Sequence, residues 1–461
     1  MFISSITFLD LILSLLYAFL IYFGAGLLKP KGNTVYAPYF KPFILFKIIS
    51  AILFVLIHVY IYRGGDTFLY FRGGEFIGNQ LLTNPNFALS YWFSSYEVYE
   101  GLPMSNEFNV RYIRANDVFF MSKLASVFTL LSFNQLMATN LIFSLFSAIG
   151  IWKLFETLCN LYPMLSRYFA VGILFYPTIG IWGSGILKDP IALSATGLIF
   201  YSIYQIYKNQ KFVLPTIIIL ICLKVCIELK PYILYTFVPV MLLWLQGNLS
   251  KKVKNKFFKF TITPIIIAFS LVAGYYFLQT VSESAGKYSL DNVQSVAEGF
   301  HSWHSYLAET RDQSGYNLGE VEFTIGGIIQ KSPAAIFVTF YRPFLFTDVR
   351  NAATAFEAIQ SFILLLLTIY VIYKVKLFKF FRILFSNNDA RSFILFALIF
   401  GISVGLTSYN FGALSRYKIP CLPFFNAALA IVFFKGYLKD KMNSSNRSID
   451  KELLNQIATN Q

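Results

Sequence analysis

The chain has 461 residues, of which 56% are apolar and 13% charged, and its mean hydropathy is +0.59. These values lie outside the usual range of soluble proteins and exclude a soluble enzyme with a single membrane anchor. The formal net charge is +15, but the excess Lys lies in short clusters between apolar runs. This pattern indicates membrane topology and not a nucleic-acid-binding surface.

Apolar runs of membrane-spanning length recur along the whole chain. A hydrocarbon core of roughly 30 Å needs about 20 apolar helical residues. By that rule the sequence predicts an all-α polytopic membrane protein with about eleven transmembrane helices. The predicted spans lie near residues 5–28, 43–62, 135–158, 165–183, 188–206, 212–228, 230–246, 261–279, 355–373, 393–409 and 420–436. Residues 1–438 then form one transmembrane domain, and the polar residues 439–461 form a cytoplasmic tail.

The Lys/Arg clusters predict the orientation of these spans. All of them fall on the cytoplasmic side of a bacterial inner membrane if the N-terminus is outside and the C-terminus inside. Two long outer segments result, 63–134 and 280–354, and long loops in a compact protein are usually functional. Segment 116–132 is also apolar, but a full span there would invert the clusters before it. We therefore predict an interfacial or re-entrant helix at 116–132.

The first candidate site residue is Asp66, in the stretch Arg63-Gly-Gly-Asp-Thr-Phe-Leu-Tyr that follows the second predicted span. Two glycines allow a sharp turn as the chain leaves the membrane, and Asp66 then begins an amphipathic helix. A carboxylate there can act as a base for an incoming hydroxyl. The alternative is that Asp66 only caps the helix. Arg72, further along the same helix, is a candidate phosphate contact.

The second candidate is the short outer turn Trp182-Gly-Ser-Gly-Ile-Leu-Lys-Asp-Pro190. A cation at Lys188, held between two helices, suits a phosphate group. In the alternative interpretation, Pro190 occupies the first turn of the next helix, Asp189 caps it and Lys188 anchors it at the membrane interface. The residues alone leave both interpretations open.

Further candidates are ionisable residues inside or at the ends of predicted spans. Lys224 and Glu228 are spaced i,i+4 and can form a structural ion pair, or they can line a wet cavity together with Lys230. Arg342, Arg416 and Lys418 lie on the outer side, which the positive-inside preference disfavours for cations. Arginine binds phosphate oxygens in a bidentate manner, although such side chains can also reach to lipid headgroups. We expect Lys188, Lys230, Arg342 and Arg416 to converge on one outer cavity.

The order of these features resembles the GT-C-type membrane glycosyltransferases and the related bacterial exopolysaccharide and O-antigen polymerases. The resemblance rests on GGDTFLY, WGSGILKD, KPY, YRPF and SRYK. It implies transfer of a sugar from a polyprenyl-phosphate or polyprenyl-diphosphate donor at the outer face, with Asp66 in the position of the acidic catalytic residue. Many members hold a divalent metal with a DxD or ExD pair, whereas Thr67 and Phe68 follow Asp66 here. A divalent metal cofactor therefore stays open without the support of a DxD motif, and no metal ligands are assigned.

The resemblance also implies partners, and a transport function competes with the one it implies. The expected partners are membrane lipid, the polyprenyl-phosphate-linked sugar and other polysaccharide-assembly proteins, with no nucleic acid. A flippase or exporter of lipid-linked saccharide also needs cations inside the membrane, but such proteins commonly show two related halves. The chain has no such internal symmetry, and its long outer segments favour chemistry at the surface. A purely structural membrane subunit is the third interpretation.

Overall fold

The computed structural model describes residues 6–30, 32, 34–95, 115–208, 211–252, 314–319 and 321–441, with a few isolated positions between 279 and 306. Within these ranges the chain is helical, and its β-structure is limited to a bridge between Gly315 and Asn410. The helices are α1 (Phe8–Gly24), α2 (Phe40–Leu56), α3 (Asp66–Thr83), α4 (Pro85–Phe93), α5 (Asn116–Leu131), α6 (Leu136–Leu161), α7 (Ser166–Phe169), α8 (Pro177–Trp182), α9 (Lys188–Tyr207), α10 (Val213–Leu229), α11 (Pro231–Lys252), α12 (Ile325–Tyr341), α13 (Ala352–Val375), α14 (Leu377–Ser386), α15 (Asn388–Thr407), α16 (Phe411–Tyr417) and α17 (Leu422–Phe433).

Several helices of the described part are long and apolar enough to cross a membrane. There are seven of these: Phe8–Leu28, Ala37–Tyr62, Leu136–Leu161, Pro231–Lys251, Ala352–Val375, Asn388–Thr407 and Leu422–Lys441. Each overlaps a predicted span. The chain is therefore an all-helical polytopic membrane protein, as the sequence predicts. The count of about eleven spans and the orientation of the termini remain predictions.

The remaining predicted spans differ from these seven for separate reasons. The predicted spans at 188–206 and 212–228 correspond to α9 and α10, which are continuous helices. Helix α9 is buried by other helices over most of its length and carries buried Ser194, Thr196 and Ser202, so it needs fewer apolar side chains than a lipid-facing span. The span predicted at 261–279 falls almost wholly outside the described residues.

The predicted span at 165–183 is a broken helix in the structure. Helix α7 runs into a π-helical turn, Ala170–Leu174, and α8 begins only at Pro177. Tyr176 is extended because the residue before a proline is driven out of the helical region. Gln360 of α13 accepts hydrogen bonds from the backbone N–H and the hydroxyl of Thr178. Another helix thus satisfies backbone groups that the break exposes, as the membrane interior requires.

Helices α3 and α5 pack tightly along each other, and their N-terminal ends line the cavity described below. Small residues make this possible, since a Cβ added at Gly74 would stand 2.8 Å from the Ala125 backbone. Ser122 and Ser126 of α5 are buried, and their hydroxyls donate hydrogen bonds to backbone carbonyls of the same helix. Segment 116–132 is therefore helical, as predicted, while its interfacial location stays a prediction.

Candidate functional site

A cavity of about 720 Å³ opens where the N-terminal ends of α3, α5, α9 and α11 meet α16. Its volume lies within the range of pockets that hold small molecules. The acidic and basic side chains on its wall are Asp66, Asp117, Lys188, Asp189, Lys230 and Arg416. Three carboxylates and three cations from distant parts of the sequence are thus brought to one place.

Arg416 lies at the centre of this charged cluster. Its Nη2 donates to Asp66 Oδ2 at 3.0 Å and to Asp189 Oδ2 at 3.4 Å. Asn410 caps α16 by accepting hydrogen bonds from two backbone N–H groups, and this short helix positions Arg416. Burial alone would lower the pKa of Arg416, but the carboxylates of Asp189 and Asp66 outweigh it and raise that pKa. The guanidinium therefore remains charged inside the protein.

The two carboxylates bound to Arg416 have very different exposure. The side chain of Asp66 is 48% exposed, whereas that of Asp189 is 0% exposed. Asp66 is the first residue of α3, after Gly65 with φ 116°, and the hydrogen bond the structure gives its side chain goes to Arg416. Asp189 is fixed from a second side by Lys230 at 2.5 Å. Asp66 is thus the accessible carboxylate and Asp189 the buried anchor.

Two lysines extend the cluster along the cavity wall. Lys230 precedes α11, and its ammonium lies 4.4 Å from the centre of the Tyr417 ring. Lys188 pairs with Asp117 at 2.6 Å and lies 5.5 Å from the ring of Tyr70. Burial raises the pKa of Tyr70, and the negative charge of Asp66 raises the pKa further. The phenol therefore stays protonated and can donate a hydrogen bond.

Another part of the cavity wall is apolar. Helix α15 contributes Ile402, Val404 and Leu406, and Ile328 of α12 and Leu229 of α10 also line the cavity. The cavity is therefore amphipathic, with a charged end that touches an apolar wall. Such a shape fits a ligand that has a polar head and a hydrocarbon chain.

Some sequence-based interpretations of these residues are wrong. Asp189 does not act as a cap of α9, because its carboxylate binds Lys230 and Arg416 and the N-terminus of α9 has no side-chain cap bond. Lys188 is not a headgroup anchor, because its ammonium is bound to Asp117. Asp117 itself was not foreseen. Its only sequence signal is an acidic residue at the start of α5, which is common at helix N-termini.

Arg342 lies outside this cavity, so the expected convergence holds for Lys188, Lys230 and Arg416 and is wrong for Arg342. Its Nε and Nη2 donate to the two carboxylate oxygens of Asp348 at 2.9 and 2.6 Å. The guanidinium also lies 5.3 Å from the ring of Phe411. A bidentate partner six residues away in sequence satisfies Arg342 locally and leaves it unavailable to the cavity.

The other predicted site residues also lie outside the cavity lining. Lys224 and Glu228 form the i,i+4 ion pair at 2.6 Å, with Lys224 70% exposed, so the structural interpretation of this pair fits the geometry. Arg72 pairs with Glu75 on the exposed side of α3. Lys418 is buried, and burial lowers its pKa, while the nearby carboxylate of Glu357 opposes that shift.

Metal ligands are not clustered in the described residues. Groups of three or more His, Cys, Asp or Glu side chains placed to hold one ion do not occur there. Comparisons with protein-family models, with curated proteins and with solved structures give no match for this chain. The geometry of the cavity is therefore the guide to what the protein binds.

Proposed function

We propose that the protein transfers a sugar or oligosaccharide from a polyprenyl-phosphate or polyprenyl-diphosphate donor to an acceptor at the outer face of a bacterial inner membrane. The observation that carries this proposal is the half-exposed carboxylate of Asp66 beside Arg416, at the charged end of an amphipathic cavity. A lipid-linked sugar phosphate has the same division into a charged head and a hydrocarbon chain. The apolar wall on α12 and α15 would receive the chain.

The charge balance of the cavity suggests how a donor would bind. If all six groups are ionised, three carboxylates and three cations cancel, so an entering phosphate must replace a carboxylate. Asp66 is the partner that can be replaced, because exposed ion pairs contribute little to stability. Asp189 stays fixed by Lys230. Arg416 then remains bound to Asp189 and binds the donor phosphate in place of Asp66.

This exchange would also prepare Asp66 for catalysis. Once the donor phosphate occupies Arg416, the carboxylate of Asp66 is free to accept the proton of an acceptor hydroxyl. The hydroxyl oxygen bonds to the anomeric carbon as the bond from that carbon to the phosphate oxygen breaks. The negative charge that develops on the leaving phosphate is stabilised by Arg416, Lys230 and Lys188, which are already in place.

The test is Asp66→Asn, which keeps the size of the side chain but cannot accept a proton. We expect normal membrane expression and a loss of glycan or glycolipid product by a factor of about 100 to 10,000 in rate, which is typical for loss of a general base. Glu75→Gln is the matched control, because it neutralises an acid on the same helix outside the cavity. Wild-type product levels in Asp66→Asn would contradict the proposal.

A second candidate function is movement of a lipid-linked saccharide across the membrane. The broken helix between Ser166 and Trp182 favours it, because discontinuous helices are common in transporters. Purified protein in liposomes distinguishes the two functions. Glycosyl transfer changes the chemical structure of the saccharide, whereas transport changes only the leaflet in which an intact lipid-linked saccharide resides.

A further inference from the structure

Helix α14 precedes the N-terminal end of the 20-residue α15, whose C-terminal residues line the cavity, so α14 and the cavity lie at opposite ends of α15. It joins α13 and α15, two helices of membrane-spanning length, through single-residue junctions at Lys376 and Asn387. Lys376 has φ 69°, which turns the chain sharply after α13. A ten-residue helix between the ends of two spans must lie near the membrane surface and not within the hydrocarbon core.

The side chains of α14 divide into three faces. Phe380 and Leu384 are buried against the protein. A second face, formed by Leu377, Phe378, Phe381 and Phe385, is exposed, and Phe378 reaches 91% exposure. At 100° per residue, Lys379 and Arg382 project from a third face next to the exposed aromatic one. An exposed apolar face beside a basic face is the pattern of a helix that lies in the plane of a membrane.

The surroundings of α14 add further positive charge and place it at headgroup depth. Lys374, in the last turn of α13, lies 5.7 and 5.6 Å from the rings of Tyr370 and Tyr373, and tyrosines are enriched at the membrane interface. Lys379 bonds to the Gly436 carbonyl and to exposed Asp440. For Lys376 and Arg382, by contrast, the described part of the chain provides no carboxylate partner.

We propose that Lys376 and Arg382, with the apolar face of α14, form a binding site for the headgroup of an anionic phospholipid. The phosphate would contact these cations at headgroup depth, and the acyl chains would cover Phe378 and Phe381. Charge complementarity selects an anionic lipid over a neutral one. The exposed aromatic side chains select a lipid over a free anion, because only the lipid removes them from water. This site is independent of the proposed function.

The experiment measures lipid retention by the purified full-length protein with native mass spectrometry. The probes are phosphatidylglycerol and phosphatidylcholine of the same acyl chains. We expect the wild type to retain phosphatidylglycerol preferentially. The double variant Lys376→Gln, Arg382→Gln should weaken its binding roughly 25-fold, or about 5-fold for each charge near the membrane surface.

The matched control is the double variant Arg167→Gln, Lys208→Gln. Both residues are exposed and carry the same total charge, with Arg167 in α7 shortly after α6 and Lys208 directly after α9. Both lie on the same side as α14, because Tyr162 after α6 donates to Asp389 at the start of α15, and Tyr207 of α9 packs on Trp244, whose indole donates to the same carboxylate. Phosphatidylglycerol retention should remain at the wild-type level in this control. Equal loss in both double variants would show general electrostatic attraction and overturn the proposed site. Equal retention of the two lipids by the wild type would overturn it as well.

Discussion

Asp189 and Asp66 bind the same guanidinium but differ in what their removal should do. Asp189 is completely buried between Lys230 and Arg416. Asp189→Asn leaves buried Lys230 without its carboxylate and partly buried Arg416 with Asp66 alone. Breaking a buried ion pair in this way costs about 3–5 kcal/mol. We expect Asp189→Asn to reduce the yield of folded protein and its melting temperature in detergent. Asp66→Asn should melt close to the wild type.

Lys230→Met provides the complementary test of this assignment. It removes one of the two cations bound to Asp189 and should destabilise the protein to a similar extent, because Asp189 keeps only the longer contact with Arg416. If Asp189→Asn and Lys230→Met both melt like the wild type, the pair does not anchor the cavity. The separation between a structural and an accessible carboxylate would then be wrong.

The pair of Arg342 and Asp348 should make stability depend on pH in the acid range. Burial raises the pKa of the Asp348 carboxyl, but hydrogen bonds from Arg342 and the Phe344 N–H outweigh it and lower the pKa below 3.8. The pair therefore contributes fully to the free energy of unfolding above about pH 4. This contribution is lost as the pH falls through the lowered pKa of Asp348.

The measurement compares melting temperatures of the wild type and Asp348→Asn from pH 6 to pH 3. The variant should be less stable at pH 6, by about 1.5–3 kcal/mol for hydrogen bonds to a charged group. The difference should become smaller below about pH 4, because the unfolded chain begins to bind a proton at Asp348 there, whereas the lowered pKa of the folded protein delays protonation to lower pH. A difference that does not change with pH would mean that Asp348 is not stabilised as an anion.

At the scale of single residues, the sequence indicated part of the site. Asp66 stands out because it follows a Gly-Gly turn after a predicted span, and Arg416 because the positive-inside preference disfavours cations on the predicted outer side. Lys188 and Lys230 stand out as cations beside short turns between predicted spans. Sequence could not show that Arg342 has its own carboxylate six residues away, since i,i+6 is no standard side-chain pairing. Asp117 was missed because its importance depends on Lys188, 71 residues further along the chain.

At the scale of helices, the packing of α3 against α5 controls the position of Asp66. A Cβ at Gly74 would meet backbone atoms of Ala125 and Ser126 at 2.8 and 2.9 Å. Backbone cannot rotate away as a side chain can, so we expect Gly74→Ala to destabilise the protein by about 1–3 kcal/mol. Thermal unfolding in detergent measures this effect.

Gly24→Ala is the control for this substitution. It also lies in a helix, but no atom is within 4 Å of an added Cβ, so this variant should be neutral or slightly more stable. If Gly74→Ala were also neutral, the two helices would have to be further apart than the structure places them. The position of Asp66 relative to Arg416 would then need revision.

The break in the helix after α6 could not be predicted from the sequence. The run from 165 to 183 is apolar enough to predict one span, and Pro177 alone does not decide between a kink and a break. The decisive contacts come from α13, where Gln360 binds Thr178 and Glu357 accepts a hydrogen bond from the indole of Trp182. These partners lie more than 170 residues away in sequence.

At the scale of the whole molecule, hydropathy predicted the class of fold more reliably than the number of spans. Lipid accepts only helices whose backbone groups are satisfied, so long apolar runs had to become helices. Burial inside the protein relaxes the requirement for apolar side chains, as in α9. For this reason a count based on composition cannot distinguish a helix that faces lipid from one that other helices enclose.

The cationic side chains at the two ends of the molecule have different neighbours. At the cavity end, Lys188, Lys230 and Arg416 are each bound to a carboxylate. At the opposite end, around α14, exposed Lys and Arg side chains lie beside aromatic residues. The second arrangement is the one from which the positive-inside preference predicts a cytoplasmic location for that end, and that location stays a prediction.

Binding of a lipid-linked phosphate in the cavity can be seen in a structure determined with a polyprenyl-phosphate analogue. We predict phosphate density in contact with Arg416 and Lys230, with Asp66 displaced from the guanidinium. The hydrocarbon chain should follow the apolar wall at Ile402 and Leu406. Analogue density at another surface, with the pair of Arg416 and Asp66 intact at saturating analogue, would contradict the account.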